Sequence, residues 1–262
     1  MKSLMRWVAV LGLMGGVWGS PAITGMMRSL ALPEAQVVEK LRPVPIFTVT
    51  DDKGTPLIIT VSEGDKKTDV ASFFISQQDA QKFVEQVKIK NPELAEKIRV
   101  QPVSLAEVYQ KQEAQKSQKN PLEFAYFPKQ QQVDIAMALL RQQGQNVQQF
   151  NGVPLFIATG GPEKGYLTIQ QGNQQVIPIF FNKEDLQNMV NRFQQQQPEL
   201  ASQIQIKVVD LEGVIETLKT KNDPQLNQVV LIPPRETIEY LRSLSQGAGN
   251  QNPPQQTAPQ SK

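Results

Sequence analysis

The sequence predicts a mixed α/β (α+β) fold made of two tandem copies of one strand/helix module. Three observations predict it: an internal duplication, short β-branched segments bounded by turns, and stretches whose apolar residues recur at i, i+3, i+4 and i+7. Strands and helices follow one another in mixed order, which favours helices over a sheet. The link between the copies is short, so we expect them to pack as one body with pseudo-twofold symmetry.

The first 31 residues have the layout of a secretory signal peptide. Lys2 and Arg6 precede an apolar run over residues 7–19, and small residues suitable for cleavage follow at 20–22 and 29–31. The run is shorter than the roughly 20 residues of a membrane-spanning helix, which favours a cleaved signal over a membrane anchor. We place the cleavage after residue 31 and expect no stable membrane insertion.

The composition limits the chemistry and the partners of this chain. It has 262 residues, none of them Cys or His, which excludes thiolate nucleophiles, Ser-His-Asp triads and most zinc or copper sites. We therefore expect no enzymatic activity, no cofactor and no metal. Without residues 1–31 the net charge falls from +2 to −1, because Lys2, Arg6 and Arg28 are removed with no acid. A nearly neutral chain predicts no nucleic-acid partner.

The duplication appears as matching segments in the same order. Residues 44–50 (VPIFTVT) match residues 153–159 (VPLFIAT), and the PELA sequence at 92–95 recurs at 198–201. Each copy is predicted to run strand, strand, strand, helix, strand, helix, strand, helix. The predicted strands of the first copy are 44–50, 57–61, 70–75, 98–103 and 124–127, and those that match them in the second include 153–159, 176–181, 204–209 and 229–232.

Capping residues mark where the predicted helices begin. Ser76 and Ser104 precede the first two helices of copy one, and Asn182 and Asp210 precede those of copy two. Their apolar positions, such as Ala80, Phe83, Val84 and Val87 or Leu186, Met189, Val190 and Phe193, fall on one helical face and are predicted to be core. Asn91-Pro92 ends the first helix, because proline cannot continue it.

Carboxylates offer the remaining route to catalysis, and the sequence gives them a structural interpretation. Asp51-Asp52 and Glu163 fall in the same hairpin turn of the two copies, where acidic residues stabilise turns. The glycine-rich stretch 160–165 lacks the order of a phosphate-binding loop and matches an ordinary turn in copy one. We therefore interpret both as turns.

The predicted organisation has four parts. A signal peptide covers 1–31, the first repeat module 32–145, the second repeat module 146–246, and a disordered tail 247–262. The tail is rich in Gln, Pro and Asn and has almost no apolar residues, so it cannot bury enough surface to order itself.

Consecutive phenylalanines suggest a protein-binding surface. In a strand, neighbouring side chains face opposite sides of the sheet, so one ring each of Phe73, Phe74 and of Phe180, Phe181 leaves the face that the other occupies. If helices cover one face only, the second ring is exposed and can bind a partner. The alternative is a sheet covered on both faces, or rings buried between the two halves.

Three segments of the chain are distinctive: the run PVPIFTVTD at 43–51, the FFIS sequence at 73–76 with its following helix, and NPEL at 91–94. Together with the signal peptide and the duplication, they resemble the Tic22 family. The resemblance covers residues 32–245 and leaves out the tail. Plant members belong to the inner-envelope translocon of chloroplasts, on its intermembrane-space side, and cyanobacterial members are exported. The motifs are structural rather than catalytic.

The resemblance implies a periplasmic, chaperone-like factor for protein transport and outer-membrane protein biogenesis. It implies two partners: unfolded or precursor proteins, and the outer-membrane barrel-assembly protein with its POTRA repeats. The periplasm is the expected location, with the thylakoid lumen as the alternative. A second hypothesis is an exported small-ligand carrier with a pocket between the two halves.

Overall fold

The structure is a computed structural model that describes residues 32–64, 66–161, 164–196, 198 and 203–248. The predicted signal peptide, the predicted turn residue Glu163 and the tail from residue 249 onward lie outside the described residues. Among the helices of the described part, none is both long and apolar enough to cross a membrane.

Helices and strands follow one another in the mixed order that the sequence predicts. The α-helices of the described residues are α1 Glu34–Leu41, α2 Gln77–Lys90, α3 Pro92–Ala95, α4 Leu105–Gln115, α5 Gln130–Gln142, α6 Lys183–Gln196, α7 Leu211–Thr220 and α8 Arg235–Ala248, with a 3-10 helix at Pro224–Gln228. The strands are β1 Pro45–Asp51, β2 Ile58–Glu63, β3 Lys66–Phe74, β4 Ile98–Ser104, β5 Glu123–Phe127, β6 Pro154–Gly160, β7 Gly165–Tyr166, β8 Ile169–Gln171, β9 Gln174–Phe180, β10 Gln205–Asp210 and β11 Val229–Ile232.

The strands form two sheets with the same pairing. In the first sheet β1 lies between β3 and β4 and is antiparallel to both, while β5 runs parallel to β3. In the second sheet β6 lies between β9 and β10 in the same way, and β11 runs parallel to β9. The mixed α/β class is confirmed, whereas the pseudo-twofold relation of the halves stays a prediction.

The second strand departs from the simple hairpin predicted for it. Asp51 makes the predicted turn, since its carboxylate accepts the N–H of Lys53 and of Thr55 at 2.9 and 2.8 Å, and Leu57 N donates to Val49 O. From Ile58 onward, however, β2 leaves β1 and pairs with β3. The two strands extend beyond the end of β1 as a two-stranded ribbon.

Both sheets are apolar on both faces. One face of each sheet joins a shared central core with the inner helices α1, α4 and α7; its members include Ile46 and Phe73 of the first sheet and Leu155 and Ile179 of the second. We call these the inner faces. The sequence analysis did not predict α1. This helix precedes the first strand and buries Val37, Val38 and Leu41 in the central core.

The outer faces are covered in part by helices exchanged between the halves. On the second sheet α6 packs over Phe156 and Phe180, together with Ala136 of α5, a helix that follows the first sheet in the chain. On the first sheet α2 packs over Phe47 and Phe74, and Tyr240 of α8 sets its ring edge-on to Phe47 at 5.8 Å. The predicted boundary near residue 145 therefore separates the two sheets along the chain, but a helix of each half packs on the sheet of the other half.

A polar junction holds the exchanged helices together where α5, α6 and α8 begin. Lys129, next to α5, pairs with Glu236 of α8 at 2.9 Å, and the other carboxylate oxygen of Glu236 accepts from the Asn182 amide. Gln132 of α5, which is buried, donates to Glu184 and accepts the Lys183 N–H. The predicted cap residue Asn182 thus places its amide group in a contact between helices.

The hypothesis that one phenylalanine of each pair is exposed, which required helices on one face only, is wrong. Phe73, Phe74, Phe180 and Phe181 are 3%, 4%, 6% and 2% exposed. Phe73 stacks on Phe124 in the central core, whereas Phe74 lies against Phe83 of α2 and Phe127 on the outer face. The physical reason is that both faces of each sheet are covered, which was the alternative interpretation.

The predicted helix starts agree with the structure at the positions it describes. Ser76 and Ser104 accept the N–H of Asp79 and Ala106, and Asp210 accepts that of Gly213. Asn91 separates α2 from α3 as expected and caps α3 by accepting from Leu94 N. At the C-terminus α8 continues to Ala248, two residues into the predicted tail.

Replacing a phenylalanine of either outer face by serine should unfold the protein rather than modify its surface. Because Phe74 and Phe180 are almost fully buried, Phe74→Ser and Phe180→Ser should each lower the free energy of unfolding by at least about 3 kcal/mol. Urea denaturation followed by far-UV circular dichroism measures this loss. Lys111→Ser, at an exposed site on α4, is the control and should change stability by less than about 0.5 kcal/mol. Near-wild-type stability of both phenylalanine variants would contradict the buried positions.

The polar junction should make stability depend on pH. Burial alone would raise the pKa of Glu236, but hydrogen bonds from Lys129 and Asn182 outweigh it and leave that pKa below its ordinary value. A carboxylate with a lowered pKa stabilises the fold above its unfolded-state pKa, and this contribution is lost as pH falls through the folded-state value. Asp185 beside it has a pKa raised by burial, which acts in the opposite sense.

Glu236→Gln should therefore flatten the acid limb of the stability curve. Between about pH 6 and pH 3, the free energy of unfolding should fall less steeply in this variant than in the wild type. A double-mutant cycle with Lys129→Met should give a coupling below about 1 kcal/mol at pH 7, since both side chains are partly exposed. Equal slopes in wild type and Glu236→Gln would show that the junction does not titrate with folding.

Candidate functional site

An apolar cavity of about 640 Å³ lies between the inner face of the second sheet and α7. Its size is typical of sites that take small ligands or side chains of a partner. Polar groups, among them Asp210, Thr217 and Lys221, lie at the rim, and the half-exposed ring of Tyr166 is also part of the lining. The apolar lining consists of Ile157, Ile177, Ile179, Val208, Val209, Val214, Leu218, Leu226 and Val229.

The cavity exists because the second sheet has smaller side chains than the first at the corresponding positions. Strand pairing places Phe124 of β5 beside Ala71 and Tyr126 beside Phe73 on the first sheet, where the three rings pack together. The second sheet pairs Val229 with Ile177 and Leu231 with Ile179 at the corresponding positions. Aliphatic residues therefore stand where the first sheet has aromatic ones. This replacement of aromatic by aliphatic residues is visible in the aligned sequences of the two copies, and it is the signal from which the cavity could have been predicted.

The α7 helix, which forms one wall, is fixed at its start by a cap. The carboxylate of Asp210 accepts the N–H of Gly213 at 2.7 Å. A Cβ atom at Gly213 would lie 2.6 Å from the other oxygen of that carboxylate. Glycine at this position therefore permits the close cap, and the cap sets the position of α7 over the cavity.

The opposite wall is braced from the first half of the chain. Lys40 of α1 donates to the carbonyl oxygens of Asn227 and Val229, at 2.8 and 3.0 Å. Burial lowers the pKa of Lys40 from its ordinary value. In addition, Leu32 N donates to Leu218 O at 3.3 Å, so the start of the described chain lies against the wall formed by α7.

A second cleft, of about 450 Å³, lies between α4 and α7 and is the pocket between the halves that the ligand-carrier hypothesis requires. Its polar groups engage one another: Glu113 pairs with Lys116 at 2.7 Å and with Lys219 at 3.2 Å. Tyr126 donates to Gln112, and burial raises the pKa of Tyr126. Since these groups are already paired, the apolar cavity is the better candidate site.

The four phenylalanines predicted to bind protein are divided among three cores and do not lie together at one site. Phe73 and Phe181 belong to the central core, and Phe74 and Phe180 to the two outer cores. None of the four is among the residues that line the cavity. Among the described residues, no group of three or more acidic side chains is placed to hold a metal ion.

Comparisons with known proteins agree on one family. The model of the Tic22-like family matches residues 16–243. Protein TIC 22, chloroplastic, of Arabidopsis thaliana is 25% identical over 215 residues, covering 81% of this chain and 73% of the relative. Protein TIC 22, chloroplastic, of Pisum sativum is 24% identical over 199 residues, covering 76% of this chain and 72% of the relative.

Two solved structures have the same fold. The structure of Anabaena Tic22, described as a protein of protein transport, superposes with a TM-score of 0.72 at 38% identity and covers 81% of this chain and 97% of that one. Tic22 from Plasmodium falciparum superposes with a TM-score of 0.63 at 19% identity, over 80% of this chain and 98% of that one. The second likeness bears on the fold alone. The match over residues 16–243 and the likeness to Anabaena Tic22 show that the chain belongs to the Tic22-like family.

Proposed function

We propose that this protein is a non-enzymatic, chaperone-like factor of protein transport that holds apolar segments of unfolded precursors in the cavity under α7. The observation that carries the proposal is the cavity itself, which is apolar inside and polar at its rim. Such a site takes apolar side chains of a partner while the rim keeps its contact with water. Membership of a family whose Anabaena member is described as a protein-transport protein supports this use.

The proposal extends to location and partners. The layout of residues 1–31 supports export through a cleaved signal, and the family resemblance supports the periplasm, with the thylakoid lumen as the alternative. In the periplasm the precursors in need of escort include those of outer-membrane barrels. The protein would then deliver them to the barrel-assembly protein through its POTRA repeats, in support of outer-membrane protein biogenesis.

A small-ligand carrier is the second candidate, because the cavity volume also suits a small apolar molecule. The two functions differ in what survives purification. A carrier retains a stoichiometric small molecule that native mass spectrometry detects, whereas a chaperone-like factor binds unfolded chains and leaves the cavity free between clients.

Closing the cavity should weaken binding of unfolded chains. Thr217 is exposed and lines the cavity, so Thr217→Trp should cover its mouth without disturbing the core. We expect at least a ten-fold loss of affinity, about 1.4 kcal/mol, for a urea-unfolded outer-membrane barrel protein, measured by fluorescence anisotropy after dilution. Val229→Phe should do the same from inside, because it places a ring where the first sheet has Phe124.

Lys111→Trp is the matched control, since it adds the same ring at an exposed position of α4 away from the cavity. It should leave affinity unchanged, and thermal unfolding should show that all three variants fold. Unchanged binding by Thr217→Trp and Val229→Phe would remove the cavity from the proposal. A small molecule that is present in the wild type and lost from both variants would favour the carrier instead.

A further inference from the structure

The ribbon of β2 and β3 has a backbone edge that nothing else in the described structure occupies. Leu57 N donates to Val49 O, so the backbone groups of Leu57 point toward β1. Along a strand, alternate residues direct their backbone groups to opposite edges. Ile59 and Val61 lie on the same edge as Leu57 and pair there with Val70 and Thr68 of β3. The backbone groups of Thr60 and Ser62 therefore point to the opposite edge of β2, which is open. Among the described strands, β2 pairs with β3 and with no other.

Two other edge strands of this chain, β4 and β10, are protected against pairing. On β4, Leu105 N donates to Val44 O, so alternation turns the backbone of Pro102 outward, where proline offers no N–H. On β10 the outward carbonyl of Ile206 accepts the side-chain amide of Gln143 from α5 at 2.9 Å. Proteins protect edges in these ways because an open edge recruits another strand. The edge of β2 carries neither of these protections.

The side chains beside this edge define what can pair with it. Ile59 and Val61 lie on the outer face of the ribbon with Val70, and Val61 is 51% exposed. Beyond Ile58 the opposite face is polar: Thr60 donates to Asp69 at 2.7 Å, and Lys67 lies two residues from Asp69 on the same face. A strand added here would meet apolar side chains on one face and charges of both signs on the other.

We propose that the open edge of β2 binds an extended segment of an incoming polypeptide by β-augmentation. The segment has apolar residues at every second position and polar residues of mixed charge between them, which is the pattern of a strand from an unfolded β-barrel precursor. The proposal rests on the proposed function, because it gives the client a backbone contact in addition to the cavity. The outward N–H and C=O groups of Thr60 and Ser62 supply affinity, and the apolar outer face selects the register.

Residue-resolved amide hydrogen exchange tests this directly. The probe is a synthetic ten-residue peptide in which Val alternates with Thr, Lys and Glu, added to the full chain. In the free protein the amides of Thr60 and Ser62 should exchange faster than those of Ile59 and Val61, which point to β3. Saturating peptide should slow exchange at Thr60 and Ser62 at least ten-fold and leave Ile59 and Val61 unchanged.

Two variants and one altered peptide complete the test. Ser62→Pro removes an outward N–H without removing a bond to β3, and it should lower peptide affinity at least ten-fold. Ser62→Thr keeps that N–H, so it should retain most of the binding and show that the edge tolerates substitution. A peptide of the same composition with its Val residues in one block should bind at least ten-fold more weakly than the alternating one.

Each other outcome overturns the proposal. If the peptide binds but protects no amide of β2, and Thr217→Trp abolishes its binding, the cavity alone holds the client and the proposed function stands. If Thr60 and Ser62 become protected with rising protein concentration and no peptide, the edge pairs with a second copy of this chain. If the peptide does not bind and the wild type also fails to bind the unfolded barrel protein, both proposals fail together.

Discussion

The need to cover both faces of both sheets determines most of this structure. Adjacent apolar residues in the central strands, such as Ile46-Phe47 and Leu155-Phe156, send large side chains to opposite faces, and all four are fully buried. A half with one layer of helices could not meet this requirement alone. The inner faces therefore share one core with α1, α4 and α7, and the outer faces take in side chains of helices that belong to the opposite half.

Local chemistry in the sequence was sufficient for most of the elements, although not for α1, and it did not determine which elements pack together. The caps at Ser76 and Ser104 and the proline after Asn91 act within a few residues, so the sequence alone locates the helix ends. The pairing of β2 with β3 and the packing of α5 on the second sheet are set by long-range contacts. No residue near Ile58 or Ala136 marks such contacts, so the sequence predicted a simple hairpin and did not predict that α5 packs on the sheet of the other half.

The site was harder to predict for a related reason. The consecutive rings of Phe73 and Phe74 suggested a binding surface, yet large rings usually belong to a filled core, as both of these do. The cavity arises from a difference between the copies, where Val229 takes the place of Phe124, and a cavity leaves no residue type of its own in the sequence. Comparison of the two copies for loss of side-chain volume would have pointed to the second sheet.

The exchanged helices also tie folding to the order in which the chain emerges. The first sheet receives Tyr240 from α8, near the end of the described chain, so its outer face is incomplete until nearly all of the polypeptide is available. Contacts so distant in sequence raise the contact order and slow folding. If the chain is exported as proposed, N-terminus first through a narrow pore, the outer face of the first sheet would stay open during passage. It would close on the far side, once the last helix has crossed.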